Sequence, residues 1–240
     1  MKKNPSILIT NFCFVVFFIL LFANCSKHDN SRKLLEQALK NKDYATAAFA
    51  YNNLLLADSS NLEYKDSLAR IYIKSGNYEG GVRLGEQVLA KQPKNLKLLE
   101  LVGIGNGRLN NIDKAVANFN ALFVASQDYT YLYKIAGMCF DSQKYNEADS
   151  LADIMIAKAD TTKRIELQLP SGESQSVPIV AACYNMKGAI LAEMADRTGN
   201  VEHIKNAVPY FQKALKIYPE FSFPRLYLER IAQYMQSGGR

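Results

Sequence analysis

The chain has no tryptophan, two histidines and four cysteines among 240 residues, and these shortages exclude several kinds of chemistry. His28 and His203 lie far apart, one near the start and one opening a late helical stretch, and both read as solvated side chains. No histidine pair is therefore set up for acid–base catalysis. Cys13, Cys25, Cys139 and Cys183 include no C-x-x-C, so the spacing gives no thiolate metal site. The clustered glycines of GIGNG, Gly103 to Gly107, lack the preceding strand that a phosphate-cradling loop requires. Asp149 and Asp153 stand one helical turn apart and read as a solvated face. A polybasic tract is also missing: the net charge is +6, and +4 without Lys2 and Lys3, which gives no reason to expect nucleic acid. No catalytic residue, cofactor or metal is expected. With 48% apolar and 22% charged residues, the body should nevertheless fold.

Acid is absent from residues 1–24, where Lys2 and Lys3 precede an unbroken apolar run of twelve residues, Phe12 to Ala23. That run is short of the roughly 18 residues of a membrane span. Its layout is that of an export signal. The edge Leu21-Phe22-Ala23-Asn24-Cys25 resembles the lipobox of bacterial lipoproteins, although Asn24 stands where the family prefers Gly, Ala or Ser. The resemblance implies a signal peptide over 1–24, lipid attachment at Cys25, whose thiol is nucleophilic enough to be alkylated by a diacylglyceryl group, and an acylated tether over 25–31. It also implies an outer-membrane lipoprotein facing the periplasm. An uncleaved signal anchor and an ordinary secretory signal are the alternatives, and all of these place the body outside the cytoplasm.

From Lys33 onward the pattern is helical and periodic. NKDYATAAFAY, SGNYEGGVRLG and LNNIDKAVANF, centred on Tyr44, Tyr78 and Ile112, are 34 residues apart, and SQKYNEADSLA at Tyr145 follows 33 later. Each stretch places a turn before a bulky residue and a small one three positions on: Ala47, Gly81, Ala115 and Ala148. Small side chains there let paired helices approach closely. The pattern resembles the tetratricopeptide repeat, carried by Leu68, Ala69, Tyr72, Gly76, Tyr78 and Pro93, by Gly103, Ala115 and Phe119, and by Gly188, Ala207, Phe211, Ala214 and Pro219. Gly85 and Ala152 depart from it, standing where the family has bulky residues. The resemblance implies an all-α, right-handed superhelix of about five helix hairpins, with repeats near 28–61, 62–95, 96–128, 129–161 and 178–221, the whole array spanning 32–236.

The register breaks once, between Tyr145 and Ile204, by 25 residues beyond one repeat. Ile165, Leu167 and Leu169 alternate with polar residues, Pro170-Ser171-Gly172 is a turn signal, and Val177 and Ile179 alternate on the return. A β-hairpin inserted over 164–179 is expected, removable at little cost if it is a surface addition. A longer first helix and a polar loop, MADRTGNVEH, should account for the rest. Residues 223–236, with Pro224 in the first turn and Phe223, Leu226, Leu228, Ile231 and Tyr234 as apolar surface, read as a capping helix. Cys139 and Cys183, near opposite ends of successive first helices, should be buried free thiols.

The family resemblance implies a concave face built from first-helix positions. Its partner-binding residues would be Arg70, Ile73, Lys74, Lys97, Ile104, Arg108, Tyr133, Lys134 and Phe140, with Glu63, Asp66, Glu100 and Asp141 on the same face. The apolar members would anchor a peptide and the basic ones select acid on it. The function implied is a non-enzymatic protein-interaction scaffold tethered to the envelope, with a glycan- or nutrient-binding lipoprotein as the alternative. Replacing Cys25 with Ser should abolish incorporation of labelled palmitate and leave an unprocessed precursor. Unchanged labelling would refute the lipoprotein reading.

Overall fold

A computed structural model describes residues 29–237, so the signal segment and Cys25 lie outside the described residues. The described chain forms two compact units that divide between Asn111 and Ile112. The first contains α1 (29–40), α2 (Tyr44–Ala57), α3 (Leu62–Lys74), α4 (Tyr78–Leu89) and α5 (Leu96–Arg108). The second contains α6 (Ile112–Ser126), α7 (Tyr129–Asp141), α8 (Tyr145–Lys158), β1 (Arg164–Gln168), β2 (Ser174–Pro178), α9 (Ile179–Thr198), α10 (Val201–Ile217) and α11 (Ser222–Gln236). Residues 29–31, expected as the end of a tether, are already helical in α1, where Lys33 pairs with Asp29 at 3.0 Å.

The repeat is written into the backbone as well as the side chains. Lys42, Gly76, Asn110 and Gln143, each two residues before a repeat's bulky turn residue, all have left-handed φ, from 56° to 87°. One left-handed residue reverses the chain and lets the next N–H close the preceding helix. Asp43 N–H reaches the Ala38 carbonyl at 2.8 Å, Asn111 that of Asn106 at 2.9 Å and Lys144 that of Cys139 at 2.8 Å. Short polar side chains then start the following helices: Asp43, Asn61, Asn77, Asn95, Asp128 and Asn200 each accept a backbone N–H of the first turn.

Between the helices, small residues mark the closest approach. Ala47, Ala115, Ala148 and Ala207 have no exposed surface. A Cβ on Gly81 would sit 2.9 Å from the Ile73 nitrogen and 3.0 Å from the Ala69 carbonyl, so glycine is required there by backbone. Gly85 departs from the repeat pattern because Val102, on α5, occupies the space its side chain would need. Gly188 similarly admits the ring of Phe211, which a Cβ would meet at 2.6 Å.

The inserted hairpin is antiparallel, with Ile165 opposite Val177 and Leu167 opposite Gln175. It is not a surface addition. Ile165 and Val177 are buried, and β2 runs through Pro178 directly into α9, so Ile179 is helical rather than the last strand residue. Gln175 ties the hairpin to the connection before α11: its Nε2 donates to the Glu220 carbonyl at 2.7 Å, and its Oε1 accepts from Ser222 N–H at 3.1 Å. The N-cap residue of α11, Phe221, has no capping side chain of its own, and the hairpin supplies the cap. Two further expectations change. The stretch expected as a polar loop is mostly helix, since α9 continues to Thr198 and stops at left-handed Gly199. Leu226 is 44% exposed, while its neighbour Tyr227 stacks on Phe211 with ring centroids 4.8 Å apart. Gln175→Ala should therefore cost about 0.5–2 kcal/mol, because it removes the side-chain cap at the start of α11. Urea unfolding measures it, and an unchanged midpoint would mean that the hairpin does not support the cap.

Candidate functional site

Unit 1 places six of the expected contact residues on α3 and α5. Arg70 and Lys74 line one cavity of about 600 Å³, together with Leu39, Tyr44, Tyr51 and Ile71. Lys74 is exposed there. Arg70 is not free to choose an acidic ligand: it grips Asp66 through both carboxylate oxygens at 2.7 and 3.0 Å, and Asn95 joins the pair at 3.0–3.1 Å. Its guanidinium holds α3 to the start of α5, which is a structural role. Ile73 is 4% exposed and packs against the backbone opening left by Gly81 and Gly105, so it belongs to the core and cannot anchor a partner. Lys97 and Arg108 are exposed, and Ile104 is half-buried. The glycine cluster beside Ile104 lies within helix α5, where Gly105 makes room for Val82.

Unit 2 brings together the two expected aromatic residues and several that the sequence reading did not single out. Tyr133 and Phe140, one face of α7, line a pocket of about 250 Å³ with Gly137 between them. Opposite them stand Leu167 and Gln168 of β1, Asn185, Met186 and Ala189 of α9, and Phe223 and Tyr227 of α11. Burial holds the Tyr133 phenol protonated far above its ordinary range, with Cys183 adding to the effect. Burial likewise raises Tyr227, reinforced by Glu193 and Asp196 and opposed by Arg230. Asn185 is 9% exposed, and its Oδ1 has no hydrogen-bond partner. Lys134 does not reach this pocket: its ammonium lies 5.2 Å from the Phe119 ring centre and 5.5 Å from that of Tyr131, an attraction satisfied between α6 and α7.

Asp149 and Asp153 are not merely a solvated face. Lys187, 6% exposed on α9, donates to Asp149 at 2.6 Å and pairs with Asp153 at 2.9 Å, while the ring of Tyr210 lies 5.5 Å away. Burial alone would lower the lysine pKa, but the two carboxylates outweigh it and the net direction is upward. The ammonium therefore stays charged at neutral pH and fastens α8 to α9. Burial pushes the Cys183 thiol up to about 12 and raises Cys139, so these free, buried thiols are poor nucleophiles. Among the described residues, no cluster of His, Cys, Asp and Glu could hold a metal.

Gly137, Asn185 and Tyr227 escaped the sequence reading, and Phe223 entered it only as apolar surface of the capping helix, for different reasons. The repeat register does place Gly137 on the same helix face as Tyr133 and Phe140, but a glycine offers no side chain to notice. Asn185 and the α11 rings meet α7 only through the inserted hairpin and lengthened α9.

No protein-family model matches the sequence, and no curated protein matches it. Solved structures do. A MamA protein is 15% identical with a TM-score of 0.57, the match covering 82% of this chain and 97% of that one. A tetratricopeptide repeat protein from Parabacteroides merdae ATCC 43184 is 13% identical with a TM-score of 0.58, covering 89% and 75%. MamA MSR-1 is 18% identical with a TM-score of 0.53, covering 80% and 96%. The fold is of the tetratricopeptide type.

Proposed function

We propose that the protein is a non-enzymatic interaction scaffold that binds a protein or peptide partner on its first-helix faces. In this reading acylated Cys25 holds it to a bacterial envelope membrane, at the outer membrane and facing the periplasm. The observation that carries the reading is that a first helix in each unit fronts an open cavity: Arg70 and Lys74 of α3 in one, Tyr133 and Phe140 of α7 in the other. Helical-repeat folds present such faces for contact, and the buried, high-pKa thiols and internally paired Lys187 leave little for catalysis. Anchoring rests on the opening segment and Cys25. Among the described residues no helix is long and apolar enough to cross a membrane. A glycan-binding lipoprotein is the second reading, favoured by the ring-lined pocket of unit 2 and weakened by the lack of any tryptophan platform.

The scaffold reading is tested on the exposed charges of unit 1. Changing Lys74, Lys97 and Arg108 together to Ser should leave the helical circular dichroism intact. It should weaken capture of a crosslinked envelope partner about tenfold, since exposed pairs contribute roughly 0.2–1 kcal/mol each. Undiminished capture would take the binding surface off α3 and α5.

A further inference from the structure

We propose that the pocket between α7, β1, α9 and α11 receives one aromatic side chain of a partner polypeptide, a flat ring carrying a single hydrogen-bond donor, with tryptophan the best fit. The choice of a polypeptide rests on the scaffold reading; the choice of ring and donor rests on the pocket itself.

The first observation is Gly137. Gly81, Gly85, Gly105 and Gly188 are each explained by a neighbour that leaves no room for a Cβ. Gly137 is not: a Cβ there would meet nothing within 4 Å, and its φ is not in the left-handed region. Glycine within a helix costs about 1 kcal/mol relative to alanine, so nothing inside the unit accounts for it. What it does is deepen the pocket wall between Tyr133 and Phe140. The second observation is independent: Asn185, a residue of the opposite wall, keeps its Oδ1 buried without a partner, and a turn of that side chain toward the pocket would offer the oxygen to a donor.

The remaining walls say what the donor is attached to. Phe140, Leu167, Met186, Phe223 and the tyrosine rings make an apolar, uncharged lining. The rings are held in place before any ligand enters: Phe140 packs edge-on against Tyr145, Tyr227 stacks on Phe211 and Phe223 stands edge-on to Phe221. Preorganised walls reduce the entropic cost of binding. At about 250 Å³ the pocket is smaller than the usual range for whole small molecules, and it suits one side chain. A sugar of that size would bring hydroxyls all round its ring, whereas the polar groups of the lining are only Asn185, the Tyr133 and Tyr227 hydroxyls and Gln168, whose Nε2 is already bonded to Ser174 at 2.6 Å. Indole brings one N–H, only a donor, on an otherwise apolar ring, and tryptophan is among the residues most often dominant at protein contacts.

The full-length protein in detergent, with empty micelles as the blank, should be titrated with N-acetyltryptophanamide. Because the chain has no tryptophan, all indole fluorescence comes from the probe. Saturable, blue-shifted binding with a Kd of about 1 mM is expected for a single side chain, with the tyrosine and then the phenylalanine amides weaker. Methylating the indole nitrogen should weaken binding about tenfold, a comparison that needs no protein variant. Asn185→Leu should erase that difference. Gly137→Leu should fill the pocket and abolish binding while the melting temperature stays the same or rises. Failure of the probe to saturate, equal binding of the methylated probe to the unaltered protein, or unimpaired binding by Gly137→Leu would each overturn the proposal. Displacement of the probe by methyl glucoside at lower concentration than by free indole would overturn it in favour of a glycan. No ring binding together with undiminished partner capture would remove this pocket and leave the scaffold; ring binding without any partner would do the reverse.

Discussion

The paired helices meet where one of them has almost no side chain, and that close approach constrains most of what surrounds it. At Gly81 the neighbouring helix presents its backbone, so not even a methyl group can be accommodated without displacing α3 or α4. The residue that reverses the chain before each of these second helices is left-handed: Lys42, Gly76, Asn110 and Gln143 all are. Three of these four are not glycine. Packing of the pair outweighs the local steric cost of about 1–2 kcal/mol at each such turn.

Unit 2 keeps this rule and adds to it. Gly188 admits Phe211, Phe211 stacks on Tyr227, and Tyr227 stands in the pocket wall, so the closest helix contact of the last hairpin also positions a ring of the candidate site. The hairpin reaches the same place from the other side. Val177 is fully buried, Gln175 holds the start of α11, and Leu167 faces the pocket. Helix α9 is enclosed along most of its first three turns, and it tolerates a lysine there because Asp149 and Asp153 converge on the ammonium. The insertion that interrupts the repeat is thus what encloses a pocket.

Much of the fold was legible because it depends on residues close in sequence. A bulky residue with a small one three positions later, recurring every 33 or 34 residues, marks the second helices, and alternation around Pro170 and Gly172 marks the hairpin. What escaped depends on distant partners. Nothing near Arg70 indicates that Asn95 will help bind its guanidinium, and nothing near Asp149 points to Lys187, 38 residues on. Ile73 looks like a surface anchor by register, yet the missing side chain of Gly81 draws it inward. Polar composition also hid the end of α9: Met194 to Thr198 reads as loop, but the helix continues until Gly199 supplies a left-handed stop.

The hairpin, α9 and α11 should open as one cooperative structure. Native-state hydrogen exchange tests it most directly, because amides that open together share one free energy. The paired amides of β1 and β2 should exchange with the same opening free energy as the first turn of α11, close to that of the buried core of α9. Hairpin amides that exchange through a separate, low-energy opening while α9 and α11 remain protected would contradict it.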